Sequence, residues 1–342
     1  MKLHNFVLIF LIQLYSCNKG GSIDKESNLA EIKDSISVAV DSLEVLEEMP
    51  RLIMPADIKI VKDLKFDKYT LEDEYPYKDT IRIFQWEKVR EHLAQLENAQ
   101  LEKSNWGVLS NYKNQNREAP LVYSYVRNAY KRVSDTLDVE RYQSAPLFLV
   151  GDSVQPVRYG RDGWLVHLLS SDTLDMVQVE GVSFEGTYNV PKRYIIPWGD
   201  TIILNKVVVV DVTNQNIATM EKTDTAWVVQ SMNPSTTGRH RPPYAHDTPV
   251  GLFAIQQKKS KMLYTHDGSS ELAGYAPYAS RFTNGAYIHG VPTNSVNAPI
   301  IEYSWSLGTT PRSHMCVRNA SSHAKFIYDW ATIKESVVFV ID

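Results

Sequence analysis

The sequence predicts an α+β protein, and three observations carry that expectation. In the first part of the chain apolar residues recur at helical spacing, as in Ile83, Trp86, Val89, Leu93 and Leu96. From Ala145 onward the pattern turns to short apolar runs cut by tight turns. Beyond Ile196 come longer β-branched runs and one late amphipathic segment. A period near 3.6 marks helices, and short bounded runs mark strands. The expected architecture is a mixed helical and β-rich N-terminal region followed by a mainly β C-terminal domain with one or two helices.

Taken in order, the elements begin with an export-type leader. Lys2 precedes the apolar run Phe6 to Ile12, which is too short to cross a bilayer as a mature helix. Leu14-Tyr15-Ser16-Cys17 then resembles a bacterial lipobox, in which a cysteine is lipidated and becomes the N-terminus. A plain cleaved signal with an incidental Cys17 is the other reading. The polar Asn18 to Ser22 would serve as a tether, and a lipid on Cys17 would anchor the protein to a membrane surface. The expected divisions are a signal peptide at 1–16, and a tether with a short helix at 17–50. A helical region follows at 51–144, and a small β-rich subdomain, faintly SH3-like, at 145–195. Residues 196–342 form the mainly β domain.

Within 17–50 the helical spacing runs through Leu29, Ile32, Ile36, Val40 and Leu43. A longer helix is expected from Asp79 to Lys103, with Ile83, Trp86, Val89, Leu93, Leu96 and Leu101 roughly on one face. Asn111 to Pro120 is polar and reads as a loop, and Tyr123, Val126, Tyr130 and Val133 continue as helix. Short strands are expected at Leu147–Val150, Trp164–Leu168 and Met176–Val179, separated by turns such as Gly160-Arg161-Asp162-Gly163. Longer ones are expected at Val207–Val212, Ala226–Val229, Leu252–Ile255 and Val337–Ile341. The late helix spans Ser322 to Lys334, with Phe326, Ile327, Trp330 and Ile333 inward.

The composition is that of a foldable chain: 342 residues, 43% hydrophobic, with 36 basic against 40 acidic residues. The net charge of −4 and the scattered basic residues give no nucleic-acid footprint. There are two cysteines, Cys17 and Cys316. If Cys17 carries lipid, the exported protein retains one thiol, which is either a packed hydrophobe or a nucleophile.

The surroundings of Cys316 favour the second. A thiol needs a depressed pKa or a neighbouring base to attack a carbonyl at neutral pH, and imidazole suits that role. His314 lies two positions before Cys316, on the same face of an extended segment. His289, upstream in Tyr287-Ile288-His289-Gly290, could approach from a neighbouring strand. Spacing alone does not choose between them. A zinc site finds no C-x-x-C or H-E-x-x-H spacing, so neither metal nor cofactor is expected. A papain-like order, cysteine before histidine, leaves only His323 downstream, within the late helix.

Several ordered motifs resemble the L,D-transpeptidase catalytic domain (YkuD-like) family over roughly residues 200 to 342. Ile288-His289-Gly290, Gly308 and Ser313-His314-Met315-Cys316-Val317-Arg318 follow its Ile-His-Gly … Gly … Ser-His-Gly-Cys pattern. Thr236-Thr237-Gly238 and Thr248-Pro249-Val250-Gly251-Leu252-Phe253 follow its upstream turns. The resemblance implies a YkuD-like β-sandwich acting on peptidoglycan peptide stems. It implies Cys316 as nucleophile and His289 as base, with the Gly290 carbonyl orienting the ring. N–H groups of Met315 and Cys316 would hold the oxyanion. Ser313 and His314 would shape the site, and Arg318, Tyr287, Gly308 and Thr248 would meet substrate. Arg239, His240 and Arg241 read as a solvated basic loop.

Two departures stand out. Met315 replaces the family's glycine before the cysteine, a position where glycine permits positive φ or close approach. The loop from His289 to Ser313 is long and carries Tyr303 and Trp305, as a lid would. The implied activity is peptidoglycan L,D-transpeptidation through a cysteine thioester. L,D-carboxypeptidation, or a cell-wall-binding lipoprotein with a degenerate site, is the alternative. The leader and the family together place the protein in the cell envelope, lipid-anchored in the outer membrane and facing the periplasm.

Overall fold

The computed structural model describes residues 51–101 and 104–342. The leader, Cys17 and the helix expected through Leu43 lie outside the described residues. The described part is mostly β, with two α-helices, α1 (Trp86–Leu101) and α2 (Ser321–Trp330).

Its centre is a six-stranded sheet. From one edge, the order is Ile60–Lys62, Trp227–Pro234, Asn216–Lys222, Lys206–Asp211, Ser336–Ile341 and Gly251–Ala254. Lys206–Asp211 pairs in parallel with Ser336–Ile341, Val208 opposite Val338. This pairing explains the near-continuous valine runs, because strands buried on both faces need apolar residues at every position. Val208, Val210, Val338 and Val340 point into one core, and Val207, Val209, Val337 and Phe339 into another.

The second of these cores is closed by α1. Its Val89, Leu93 and Leu96 recur at helical spacing and are buried against Val209, Phe339 and Trp227. Each such side chain contributes about 2 kcal/mol by leaving water. Residues 51–101 therefore complete the sheet's outer layer and supply its edge strand Ile60–Lys62, which pairs in parallel with Trp227–Pro234.

The first core is closed by a four-stranded sheet: Gln257–Thr265, Leu272–Thr283, Ala286–His289 and Val317–Arg318. Phe282, Ile288, Val317 and, from α2, Ile327 fill it. The last two strands run parallel, with Ile288 opposite Val317 and His289 opposite Arg318.

The helices are shorter than expected. α1 starts at Trp86 because Thr80–Ile83 pairs with Glu74–Tyr77 in a hairpin whose turn places Lys78 at φ 53°. Ile83 and Leu101 are largely exposed. The helix expected over Tyr123–Val133 is a hairpin of Val126–Arg127 and Val133–Ser134. There the Asn128 side chain accepts hydrogen bonds from the N–H groups of Tyr130 and Arg132, an Asx-type turn that outcompetes helix. Region 51–144 is thus one helix among hairpins and loops. α2 ends at Trp330, and Ile333 is exposed beyond it.

The β-rich subdomain is wider than 145–195. Its five-stranded sheet runs Thr187–Pro191, Met176–Gly181, Leu165–Leu168, Asn105–Leu109 and Ile195–Gly199. It joins the first core through Leu109, Val166, Val177 and Tyr194. The Arg161-Asp162-Gly163 turn provides the joint. Gly163 (φ 92°) lies so close to strand Leu272–Thr283 that a Cβ would fall 2.0 Å from the Phe282 carbonyl oxygen. The Asp162 carboxylate accepts hydrogen bonds from the Asn111 N–H at 2.9 Å and the Asn284 N–H at 2.9 Å, and pairs with Arg281.

Candidate active site

Cys316 and His289 line one cavity of about 860 Å³, to which all four strands of that sheet contribute residues. The parallel pairing of Ala286–His289 with Val317–Arg318 puts them on neighbouring segments, with His289 opposite Arg318, two residues beyond Cys316. The segment before Cys316 is fixed from its other flank. The N–H of Thr236 donates to the Arg318 carbonyl at 2.8 Å, and the N–H of Ser313 to that of Thr237 at 3.0 Å. Thr248 Oγ1 accepts from the Gly238 N–H at 2.8 Å and donates to the Met315 carbonyl at 2.7 Å. The buried Ser313 hydroxyl donates to the Cys316 carbonyl. The two upstream turns read from the sequence therefore brace the backbone of the nucleophile loop.

His289 is buried, and its Nδ1 lies 2.6 Å from the Gly290 carbonyl oxygen. That acceptor assigns the proton to Nδ1, so Nε2 carries a free lone pair. Burial pushes the imidazole pKa down to about 4, opposed by the Gly290 hydrogen bond and assisted by the nearby Arg318 charge. The half-buried Cys316 thiol donates to the Gly285 carbonyl at 3.5 Å. Desolvation raises its pKa, while the Tyr287 backbone and the Arg318 charge pull the other way. At neutral pH the pair is a thiol and a neutral imidazole. That arrangement suits a base that takes the proton during attack, rather than a standing ion pair.

Met315 adopts φ 116°, the left-handed region. Its side chain lines a different cavity of about 480 Å³, with Tyr130 and Thr248, and leaves the mouth beside Cys316 clear. Among the described residues no acceptor takes the N–H of Met315 or Cys316. These two donors are available to an oxyanion. Gly238 has to be small here, since a Cβ would fall 2.7 Å from the Met315 Cα.

Of the other residues singled out from the sequence, Ser313, His314 and Arg318 line the cavity. Arg318 is held low by burial and has no partner on Nε, and its charge favours the thiolate of Cys316. His314 is exposed and pairs with Asp267 at 2.9 Å, tying the tip of the Gln257–Thr283 hairpin to the nucleophile loop. Tyr287 is buried, with its hydroxyl 3.2 Å from Gln257 Oε1. Gly308 (φ 71°) forms a backbone corner whose carbonyl accepts from Arg82. Neither lines the cavity, and Thr248 acts on the loop rather than at the opening. Arg239 continues the brace through its N–H to the Ser313 carbonyl, and His240 pairs with Asp247 at 2.8 Å. His323 is buried in α2 against Ser231, at 2.8 Å. Trp305 is 76% exposed, with the Arg312 guanidinium 4.7 Å from its ring centroid.

Sequence reasoning missed Lys113, Tyr264 and Asp267, all on the cavity wall. The Asn111–Pro120 loop carries Lys113, and only its asparagines, which tolerate left-handed turns, hinted at a shaped segment. Among the described residues no three histidine, cysteine or carboxylate side chains gather to hold a metal ion.

A thiol and a neutral imidazole on one cavity, with free backbone donors at the cysteine and the residue before it, can carry out nucleophilic acyl transfer. Residues 205–340 match the family model of YkuD, the L,D-transpeptidase catalytic domain. Similar solved structures include an L,D-transpeptidase from Mycobacterium smegmatis, at 18% identity, covering 52% of this chain and 82% of that one, with TM-score 0.33. L,D-transpeptidase 3 from Mycobacterium tuberculosis is another, at 16% identity, 54% and 93% coverage and TM-score 0.33. A fused Zn-dependent amidase/peptidase/peptidoglycan-binding domain-containing protein from Clostridium acetobutylicum shares 18% identity, covering 40% of this chain, with TM-score 0.28. The aligned part spans about half, 51%, of that protein. No curated protein matches the sequence.

Proposed function

We propose that this protein is a peptidoglycan L,D-transpeptidase that works through a thioester on Cys316. The placement of Cys316 and His289 on one cavity, with Nδ1 of His289 committed to Gly290, carries the reading. In it, Nε2 of His289 accepts the thiol proton as Sγ attacks the carbonyl of the stem's third residue. The oxyanion is held by the N–H groups of Met315 and Cys316. The tetrahedral intermediate collapses to the thioester, and the departing D-amino acid takes the proton from His289. An acceptor amine then attacks the thioester, His289 removes its proton, and the thiol is restored. Water in place of the amine would give L,D-carboxypeptidation by the same steps.

The leader and Cys17 support a companion proposal, a lipid anchor that holds the enzyme at the outer membrane facing the periplasm, within reach of cell-wall stems. Labelling with a radioactive fatty acid, lost in Cys17→Ala, tests it.

Intact-mass measurement tests the chemistry. A tetrapeptide stem or a carbapenem is expected to add an acyl group to the wild type and none to Cys316→Ala. A folded wild type that takes neither reagent would assign the domain to binding without turnover. Supplying an acceptor amine separates transfer from hydrolysis.

A further inference from the structure

The cavity that holds Cys316 is not built by residues 205–340 alone. Lys113, far upstream of that segment, lines it. Its loop is held in an unusual shape: Lys113, Asn114 and Arg117 all adopt left-handed φ, at 54°, 54° and 72°. Such backbone costs about 1 kcal/mol or more per residue and persists only where the surroundings over-determine it. Here they do. The N–H of Lys113 donates to Gln143 Oε1 at 2.7 Å, and the N–H of Gln143 returns a bond to Asn114 Oδ1 at 2.8 Å. Asn111, fully buried, donates to the carbonyls of Ser144 and Arg117 and receives Asn116. Its N–H ends on Asp162, the residue that also grips Arg281 of the site sheet. Next to Lys113, the Tyr112 ring lies under the Arg281 guanidinium at 4.4 Å.

A loop this constrained sets an exposed lysine on the cavity wall, its ammonium 5.4 Å from the centroid of the neighbouring Tyr112 ring. The charged groups already there are Arg318, and Asp267 engaged with His314. A lysine added to that lining makes the opening favour anions. Resting on the reading above and deepening it, we propose that Lys113 is a specificity-determining residue. It anchors a free carboxylate next to the scissile carbonyl, so that the enzyme selects stems with an ionised C-terminus over amidated ones. A compact ammonium on a flexible stem suits a terminal carboxylate that shifts as the bond breaks.

The test uses the full chain. Lys113→Gln keeps the backbone bond to Gln143, and the exposed side chain leaves folding intact. Cys316 is first alkylated with iodoacetate, an anion, and with iodoacetamide, its neutral counterpart. The ratio of the two rates is expected to fall about threefold or more in Lys113→Gln, with the iodoacetamide rate unchanged and the ratio restored in Lys113→Arg. With a tetrapeptide stem, KM is expected to rise about fivefold at constant kcat, and the C-terminal amide of the same stem is expected to show no difference between variants. An unchanged alkylation ratio, or equal loss on acid and amide, overturns the proposal. If no stem acylates Cys316 while the ratio still responds to Lys113, the transpeptidase reading fails and the anion-selecting role stands.

Discussion

Asp162 and Arg281 form a fully internal ion pair, with side-chain exposures of 0% and 7%, and it locks the upstream β-rich sheet onto the sheet that carries the candidate nucleophile. Removing one partner leaves a buried charge unpaired, which costs about 3–5 kcal/mol. Asp162→Asn is therefore expected to lower the melting temperature by well over 5 °C and to slow acyl transfer by loosening the Tyr112–Lys113 loop. Asp162→Asn with Arg281→Met should recover much of the stability but not the loop's position. Equal melting curves for wild type and Asp162→Asn would deny the pair any structural weight.

Met315 stores backbone strain where its φ reaches 116°. Met315→Gly removes the Cβ conflict, and local strain of this kind is worth about 1–3 kcal/mol. Offset by the apolar contact that the side chain makes with the core, the net expectation is a thermal midpoint equal to or above that of the wild type, with the thiol still alkylated. Gly238→Ala should do the opposite, since its new Cβ would fall 2.3 Å from the His246 carbonyl oxygen. Differential scanning calorimetry of both variants reads the two signs.

Stability should fall on the acid side through two buried histidines. Burial holds His289 near 4 and His323 near 3, against 6.5 for an exposed imidazole. Between pH 6.5 and those values the unfolded chain binds more protons than the folded one. The folded state is thus fully favoured above pH 6.5 and loses ground as pH drops toward 4 and then 3. Each unit of displacement is worth about 1.4 kcal/mol. In His323→Gln, which keeps a polar partner for Ser231, the drop in melting temperature from pH 6.5 to 4 should shrink visibly. An identical slope in that variant would point to carboxylates instead.

The thiol's titration distinguishes a base from a resting ion pair. Because desolvation raises the Cys316 pKa and His289 is neutral above about pH 4, alkylation by iodoacetamide should climb through pH 9 with no plateau near neutrality. His289→Gln should leave that curve nearly unchanged while slowing acyl transfer by about 10²–10⁴-fold. A plateau below pH 7 in the wild type, abolished by the substitution, would instead reveal a thiolate–imidazolium pair.

The strands of the central sheet were legible because Val207 to Val210 and Val337 to Ile341 are apolar on both faces. The motif residues around Cys316 were legible for their chemistry, and the bracing by Thr236, Gly238 and Thr248 follows their order in the chain. The long hairpin Gln257–Thr265 and Leu272–Thr283 was not. Lysines, tyrosines and alanines are its commonest residues, and pairing across the hairpin, rather than local propensity, makes it a strand pair. The Tyr123–Val133 segment misled because aromatic and branched residues fell at helical spacing while Asn128 set a turn. Lys113 was invisible for a different reason: its place on the wall of the Cys316 cavity depends on Asp162, Arg281 and Gln143, far apart in the chain.

The strand Ser336–Ile341 lies between Lys206–Asp211 and Gly251–Ala254, two segments made much earlier in synthesis. Until it arrives, four strands of the sheet stand apart from Gly251–Ala254, and both cores that rest on it stay open. Pairings over such separations form slowly, because the loop must close before any contact compensates for it. A chain whose translation halts before Ser336 thus has the nucleophile but no scaffold to aim it. Assembly of the site is deferred until the polypeptide has been made through that strand.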